Sequence, residues 1–254
     1  MCETRATSRI PRVIHYCWFG GASKPDIVVR CIESWRAMMP GWYLKEWNES
    51  NYDVAKTSYT RGAYGAKKWA FVSDYARFDI LRQFGGVYFD TDVELLRPIP
   101  EPILQEEAFT GFESAGYVSP GLVFGCRPGF ALLDEILESY EAVDWKIEAR
   151  QPLTVNKRVT GILERHGLVR DDRLQRIEGL AVYPSEYFCG YDQDVHQARV
   201  TNNTVSVHHY AYTWGGPCNR VLVKIQRTVH RVVGDKVYRH LLAAKRRVLG
   251  VRGS

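Results

Sequence analysis

At 254 residues, with 45% hydrophobic and 25% charged content, the chain has the make-up of a globular protein large enough to bury most of its apolar surface in one domain. No apolar run approaches the ~20 residues that cross a bilayer, and residues 1–12 lack the apolar middle of a signal peptide, so the expectation is a cytoplasmic protein. The formal net charge of +5 is unevenly placed: residues 219–254 hold ten Lys or Arg against one acid, Asp235, and the first 218 residues are net acidic, which gives no reason to expect nucleic acid as a partner.

Six cysteines (Cys2, Cys17, Cys31, Cys126, Cys189 and Cys218) are scattered without C-x-x-C spacing and read as reduced thiols. In chain order, 12–19 reads as a first strand closed by Gly20 and Gly21, and Pro25 opens an amphipathic helix through Val28, Cys31, Ile32, Trp35 and Met39. A second strand follows at 42–47, then a polar loop. From Trp69, the apolar residues Phe71, Tyr75, Phe78, Leu81 and Phe84 recur at helical spacing until Gly85 and Gly86 end the helix. Val87, Tyr88 and Phe89 form a short buried strand that delivers Asp90, Thr91 and Asp92 at its carboxyl end. The second half is mixed, with strands at 109–113 and 121–125 and helices at 128–140 and 152–167. Alternating strands and helices predict an α/β fold with a mostly parallel sheet, whose ligands bind outside the strands' carboxyl ends.

If the strand stays extended, Asp90 and Asp92 project together, about 6 to 7 Å apart, and two like charges so placed need a cation. Oxygen-only ligands suit Mg²⁺ or Mn²⁺; the plainer alternative is a solvated turn. Asp74 and Arg77 lie three residues apart on the preceding helix, either as part of the site or as a surface ion pair. Trp18 ends the first strand, as core or as a stacking platform. His208 and His209 on a strand would face opposite ways, so at most one readily faces the site.

Four segments in order, IPRVIHYCWFGG at 10–21, AFVSDYARFDILRQFGGVYFDTDVELL at 70–96, YPSEYFC at 183–189 and VHHYAYTW at 207–214, make the chain resemble the DXD-containing glycosyltransferases of family 32. That family includes fungal mannosyltransferases and bacterial capsular-polysaccharide enzymes, and is distantly related to the clostridial glucosylating toxins. The resemblance covers about the first 218 residues. It implies a GT-A type catalytic domain over 1–218, a mixed central sheet flanked by helices, with 219–254 as a basic helical tail. It implies a retaining transferase that moves a sugar from a UDP-sugar to a glycan acceptor, in surface-polysaccharide synthesis. By the same resemblance Asp90 and Asp92 hold Mn²⁺ or Mg²⁺ with His209, Asp74 and Arg77 contact the donor sugar, Tyr88 contacts nucleotide or sugar, Trp18 stacks on the uracil, and Thr213 and Trp214 close over the diphosphate. Threonine stands at 213 where the family usually has serine.

Two other classes fit parts of the pattern. A phosphatase of the haloacid dehalogenase type also places D-x-D after an apolar strand, but wants Thr or Val where Glu94 stands. A sugar-binding module without turnover is the other. In the tail, Leu222, Ile225, Val229, Val232, Val237 and Leu241 share a helical face opposite Arg and Lys residues. Such a helix either lies on an anionic membrane, at the inner face of a bacterial plasma membrane beside a lipid-linked acceptor, or packs on the catalytic domain.

Overall fold

A computed structural model describes residues 10–113, 116–192, 197–211 and Gly234. The first half runs β1 (Val13–Cys17), α1 (Asp26–Met38), β2 (Tyr43–Trp47), α2 (Ser58–Gly65), α3 (Trp69–Phe84), β3 (Gly86–Tyr88) and β4 (Val93–Leu95). The second continues with α4 (Glu101–Leu104), β5 (Ala108–Gly111), β6 (Phe124–Cys126), α5 (Leu132–Glu141), α6 (Trp145–Glu148) and α7 (Val155–Arg165). After these come β7 (Gln175–Ile177), β8 (Leu180–Tyr183), α8 (Ser185–Phe188), β9 (Tyr191–Asp192), β10 (Gln197–Ala198) and β11 (Ser206–His208).

Seven strands form one mixed sheet in the order β2-β1-β3-β6-β5-β8-β7. Parallel pairing of β1 with β2 and β3, and of β5 with β8, is joined by antiparallel β6, so β1, β3, β5 and β8 all end at the same edge. Side chains alternate between two cores because successive strand residues face opposite ways. Ile14, Tyr16, Val87 and Phe109 pack with α1 residues Val28 and Trp35 on one face, and Cys17, Tyr88 and Ala108 pack with α3 and α5 on the other.

The first strand, α1, β2 and α3 lie where their spacing predicts them. Phe84, the last residue of the predicted α3 stripe, is half exposed, with its ring 5.4 Å from that of Trp47. The sequence pattern misses α2, whose Gly62 and Gly65 are poor helix formers; it is started by a reciprocal cap in which the Thr57 hydroxyl accepts from the Thr60 N–H at 3.0 Å and Thr60 Oγ1 accepts from the Thr57 N–H at 3.2 Å. Gly86 has a φ of +97°, and a Cβ there would lie 2.7 Å from the Val13 carbonyl oxygen, so a side chain would push β3 off β1.

One correction bears on the site. The D-x-D segment is not extended: β3 stops at Tyr88, and the Val93 N–H bonds back to the Asp90 carbonyl at 3.1 Å, closing a turn over Asp90–Val93. After the turn, β4 leaves the main sheet and pairs antiparallel with β11, with Val93 opposite His208. The turn is gripped from α1, where buried Trp35 donates Nε1–H to the Val93 carbonyl at 2.8 Å and Ser34 Oγ accepts from the Leu95 N–H at 2.9 Å. Apart from Gly234, the segment 219–254 lies outside the described residues.

Candidate active site

Two side-chain clusters meet at the sheet's carboxyl edge, one around each aspartate of the turn. Asp90 sits on the α3 side. Arg77 Nη2 donates to Asp74 Oδ1 at 2.7 Å and lies 3.2 Å from Asp90 Oδ1, its Nε donates to the Ser73 carbonyl at 3.1 Å, and its guanidinium lies 4.9 Å from the Tyr88 ring centroid. Tyr88 donates its hydroxyl to Asp90 Oδ1 at 3.1 Å. The Arg77 side chain is only 3% exposed, so the alternative of a surface ion pair is excluded. Burial alone would weaken the Arg77 charge, but Asp90, Tyr88 and Asp74 outweigh it and raise its pKa. Burial pushes the Asp74 carboxyl up to about 7 against the pull of Arg77. Gly121 makes room for this cluster: its carbonyl accepts from the Asp90 N–H at 2.9 Å, and a Cβ on it would come within 2.0 Å of Asp90 Oδ2.

Asp92 is held from the other direction. His208 Nε2 lies 2.9 Å from Asp92 Oδ1, the Ala211 N–H donates to Oδ2 at 2.8 Å, and the His209 N–H donates to the Asp92 carbonyl at 2.9 Å. Burial would raise the Asp92 carboxyl, yet His208 and the Ala211 N–H hold it at about 2, so it is ionised at any ordinary pH. His208 is shifted up in return: burial would lower it, but Asp92, Asp90 and Glu113 together prevail. β11 ends at His208, and the two imidazoles reach different carboxylates. The sequence assignment gives His209 to the metal, and here His209 Nε2 lies 2.6 Å from Glu94 Oε2, itself 3.6 Å from Arg30 Nε, while His208 is the imidazole on Asp92.

Trp18 follows β1 at the same edge, half-buried, with its Nε1–H donated to the Ala22 carbonyl at 2.7 Å and Lys24 Nζ 5.7 Å from its ring centroid. Thr213 and Trp214 lie outside the described residues. The cysteines at 17, 31 and 126 are buried free thiols, and Cys189 is buried too. Sequence reasoning missed Glu113, Gly121, Tyr210 and Ala211. Glu113 is buried just beyond the end of β5, with Oε2 3.5 Å from the Tyr210 hydroxyl. Its place at a strand's carboxyl end was a usable signal; Ala211 acts through its backbone and left none.

The donor set suits a hard divalent cation. Asp90 is 29% exposed and Asp92 15%, both carboxylates are fixed by neighbours, and the buried His208 Nδ1 has no hydrogen-bond partner among the described residues. No cluster of three or more such ligands is assembled among the described residues, so water or substrate oxygens would have to complete the sphere.

Residues 25–110, from α1 into β5, match the family described as "Glycosyltransferase sugar-binding region containing DXD motif". Asp74, Arg77, Tyr88, Asp90 and Asp92 all fall inside the matched residues. The chain is 33% identical over 133 residues to the alpha-1,4-N-acetylglucosaminyltransferase of Homo sapiens, covering 49% of this chain and 37% of that protein. It is 30% identical over 112 residues to inositol phosphoceramide mannosyltransferase 1 of Schizosaccharomyces pombe, covering 40% and 33%. The matches thus span about a third of each relative's length. Among solved structures, the PaToxG glycosyltransferase gives a TM-score of 0.45 at 13% identity over 61% of this chain and 68% of that one. Galactosyltransferase LgtC gives 0.44 at 12% over 84% and 93%; both likenesses are too loose to argue from.

Proposed function

We propose that the chain is a metal-dependent, retaining glycosyltransferase of the GT-A type that moves a sugar from a UDP-sugar to a glycan acceptor. The observation that supports this best is the pair of carboxylates on one turn at the sheet's carboxyl edge, each fixed from a different side. Asp90 and Asp92 would hold Mn²⁺ or Mg²⁺, which when bound supplies positive charge to the diphosphate as the sugar–phosphate bond breaks. The chain's own part is preorganisation. Arg77 and Tyr88 fix Asp90 from below, His208 and the Ala211 N–H keep Asp92 ionised, and Trp18 offers an aromatic face for the base. Because Arg77 and Asp74 are buried, their first contribution is to place Asp90, and any contact they make with the donor sugar would be made through the small part left exposed. The acceptor hydroxyl would attack from the face the diphosphate leaves, with the leaving phosphate taking its proton.

A lipid-linked glycan acceptor in capsular or other surface polysaccharide synthesis, met at the inner face of the plasma membrane through segment 219–254, completes the proposal. The relative named for inositol phosphoceramide and the basic charge of that segment favour it. The test is a screen of UDP- and GDP-sugars for hydrolysis with Mn²⁺ and with chelator. UDP-sugar cleavage abolished by chelation is expected; cleavage indifferent to chelator would overturn the metal role.

A further inference from the structure

Among the described non-glycine residues that surround the two aspartates, Tyr210 stands apart in its backbone. Its φ of +46° lies in the left-handed region, which a residue with a large aromatic side chain rarely occupies unless its surroundings hold it there. Those surroundings are close. Its ring centroid lies 4.0 Å from that of His208, its ring packs on Tyr191 at 5.3 Å, and its hydroxyl is 3.5 Å from both Cys189 Sγ and Glu113 Oε2. The reversal at 210 also sets the direction of the next N–H, that of Ala211, which is the one that reaches Asp92 Oδ2.

We propose that Tyr210 is a positioning residue of the site: its left-handed backbone brings the Ala211 N–H onto Asp92, and its ring holds the His208 imidazole against the same carboxylate. Both ligands of Asp92 thereby depend on a residue that need not touch metal or donor. The orienting role is assigned to ring packing, because the ring is the part of Tyr210 that lies against the His208 imidazole, 4.0 Å between centroids. Neighbours that orient metal ligands commonly change metal affinity 10- to 100-fold when removed.

The inference rests on the proposed metal site, and Mn²⁺ binding separates the two. The whole chain is titrated with Mn²⁺ in the presence of UDP, with free Mn²⁺ read by electron paramagnetic resonance and the fold checked by circular dichroism. Wild type is expected to bind, Tyr210→Ala to bind about tenfold more weakly, and Tyr210→Phe, which keeps the ring, to stay within about threefold of wild type. If Tyr210→Ala fails to fold, Tyr210→Gly takes its place, because glycine adopts the left-handed backbone freely, and the same tenfold loss is expected. Unchanged affinity in the folded Ala or Gly variant overturns the proposal, and so does an equal loss in Tyr210→Phe, which would put the effect in the hydroxyl. Wild type that does not retain Mn²⁺ with UDP present refutes the metal site itself, and the positioning role with it.

Discussion

The two aspartates of one turn are held by opposite kinds of structure. Asp90 is fixed by side chains close to it in sequence, Arg77 thirteen residues before it and Tyr88 two before, on a helix and strand buried in the core between sheet and helices. Asp92 is fixed by His208 and Ala211, 116 and 119 residues later, on β11 and the turn beyond it, which join the turn through a two-stranded ribbon outside the main sheet. Removing a buttress of Asp90 should therefore cost stability, whereas removing a buttress of Asp92 should cost mainly metal and substrate handling.

The largest effect is expected on the Asp90 side. Arg77→Ala leaves the buried Asp74 without its counter-ion, and breaking such a pair costs about 3–5 kcal/mol, to be seen in urea unfolding. Arg77→Lys should rescue only part of this, since an ammonium cannot span Asp74 and Asp90 as a fork does. A loss under about 1 kcal/mol would mean that the two halves are not distinguished as described.

Acid should weaken the same side next. His15 beneath it accepts Trp47 Nε1–H on Nδ1 at 3.1 Å and so donates Nε2–H to the Gly85 carbonyl at 2.9 Å, at the junction of α3 and β3. Burial holds its pKa at about 4, against about 6.5 when unfolded. Between those values the unfolded chain binds the extra proton, so stability falls as pH falls, by about 3 kcal/mol in all and about 2 kcal/mol by pH 5. Unfolding curves of wild type and His15→Gln at pH 7 and 5 check this, the variant showing the flatter dependence. Equal dependence would contradict it.

Trp18 separates base from diphosphate. Trp18→Ala should weaken UDP binding by about 1 to 3 kcal/mol in calorimetry, with or without metal. Unchanged affinity in a folded variant would return Trp18 to the core. The smallest effect sharpens the Asp92 side: His208→Gln should slow donor hydrolysis about tenfold, about 1.4 kcal/mol, while His209→Gln should change it by less than about threefold. The reverse order would place His209 at the metal.

Legibility in the sequence divides along the same line. The Asp90 side was legible because helix spacing, Gly85–Gly86 and an apolar strand are local signals that place Asp74, Arg77 and Tyr88 near the motif. Even there the extended reading gives way to the turn that was the plainer alternative, because residues i and i+2 face the same way only on an extended backbone and the Val93–Asp90 hydrogen bond closes the segment instead. The Asp92 side depends on β4 and β11, two three-residue strands that find each other across more than a hundred residues, and no periodicity reports such a pairing. Which histidine reaches Asp92 is a matter of that register, and the contribution of Ala211 is a backbone N–H that any residue but proline could supply.

The central claim, that Asp90 and Asp92 hold a metal against a donor diphosphate, is tested most directly by Mn²⁺-dependent UDP-sugar hydrolysis in Asp92→Asn, which keeps an oxygen for the Ala211 N–H and removes the charge. The expected rate is below about a tenth of wild type, a loss of more than about 1.4 kcal/mol in transition-state stabilisation, with an unchanged circular dichroism spectrum. A folded variant that keeps more than about a tenth of the wild-type rate would contradict the account.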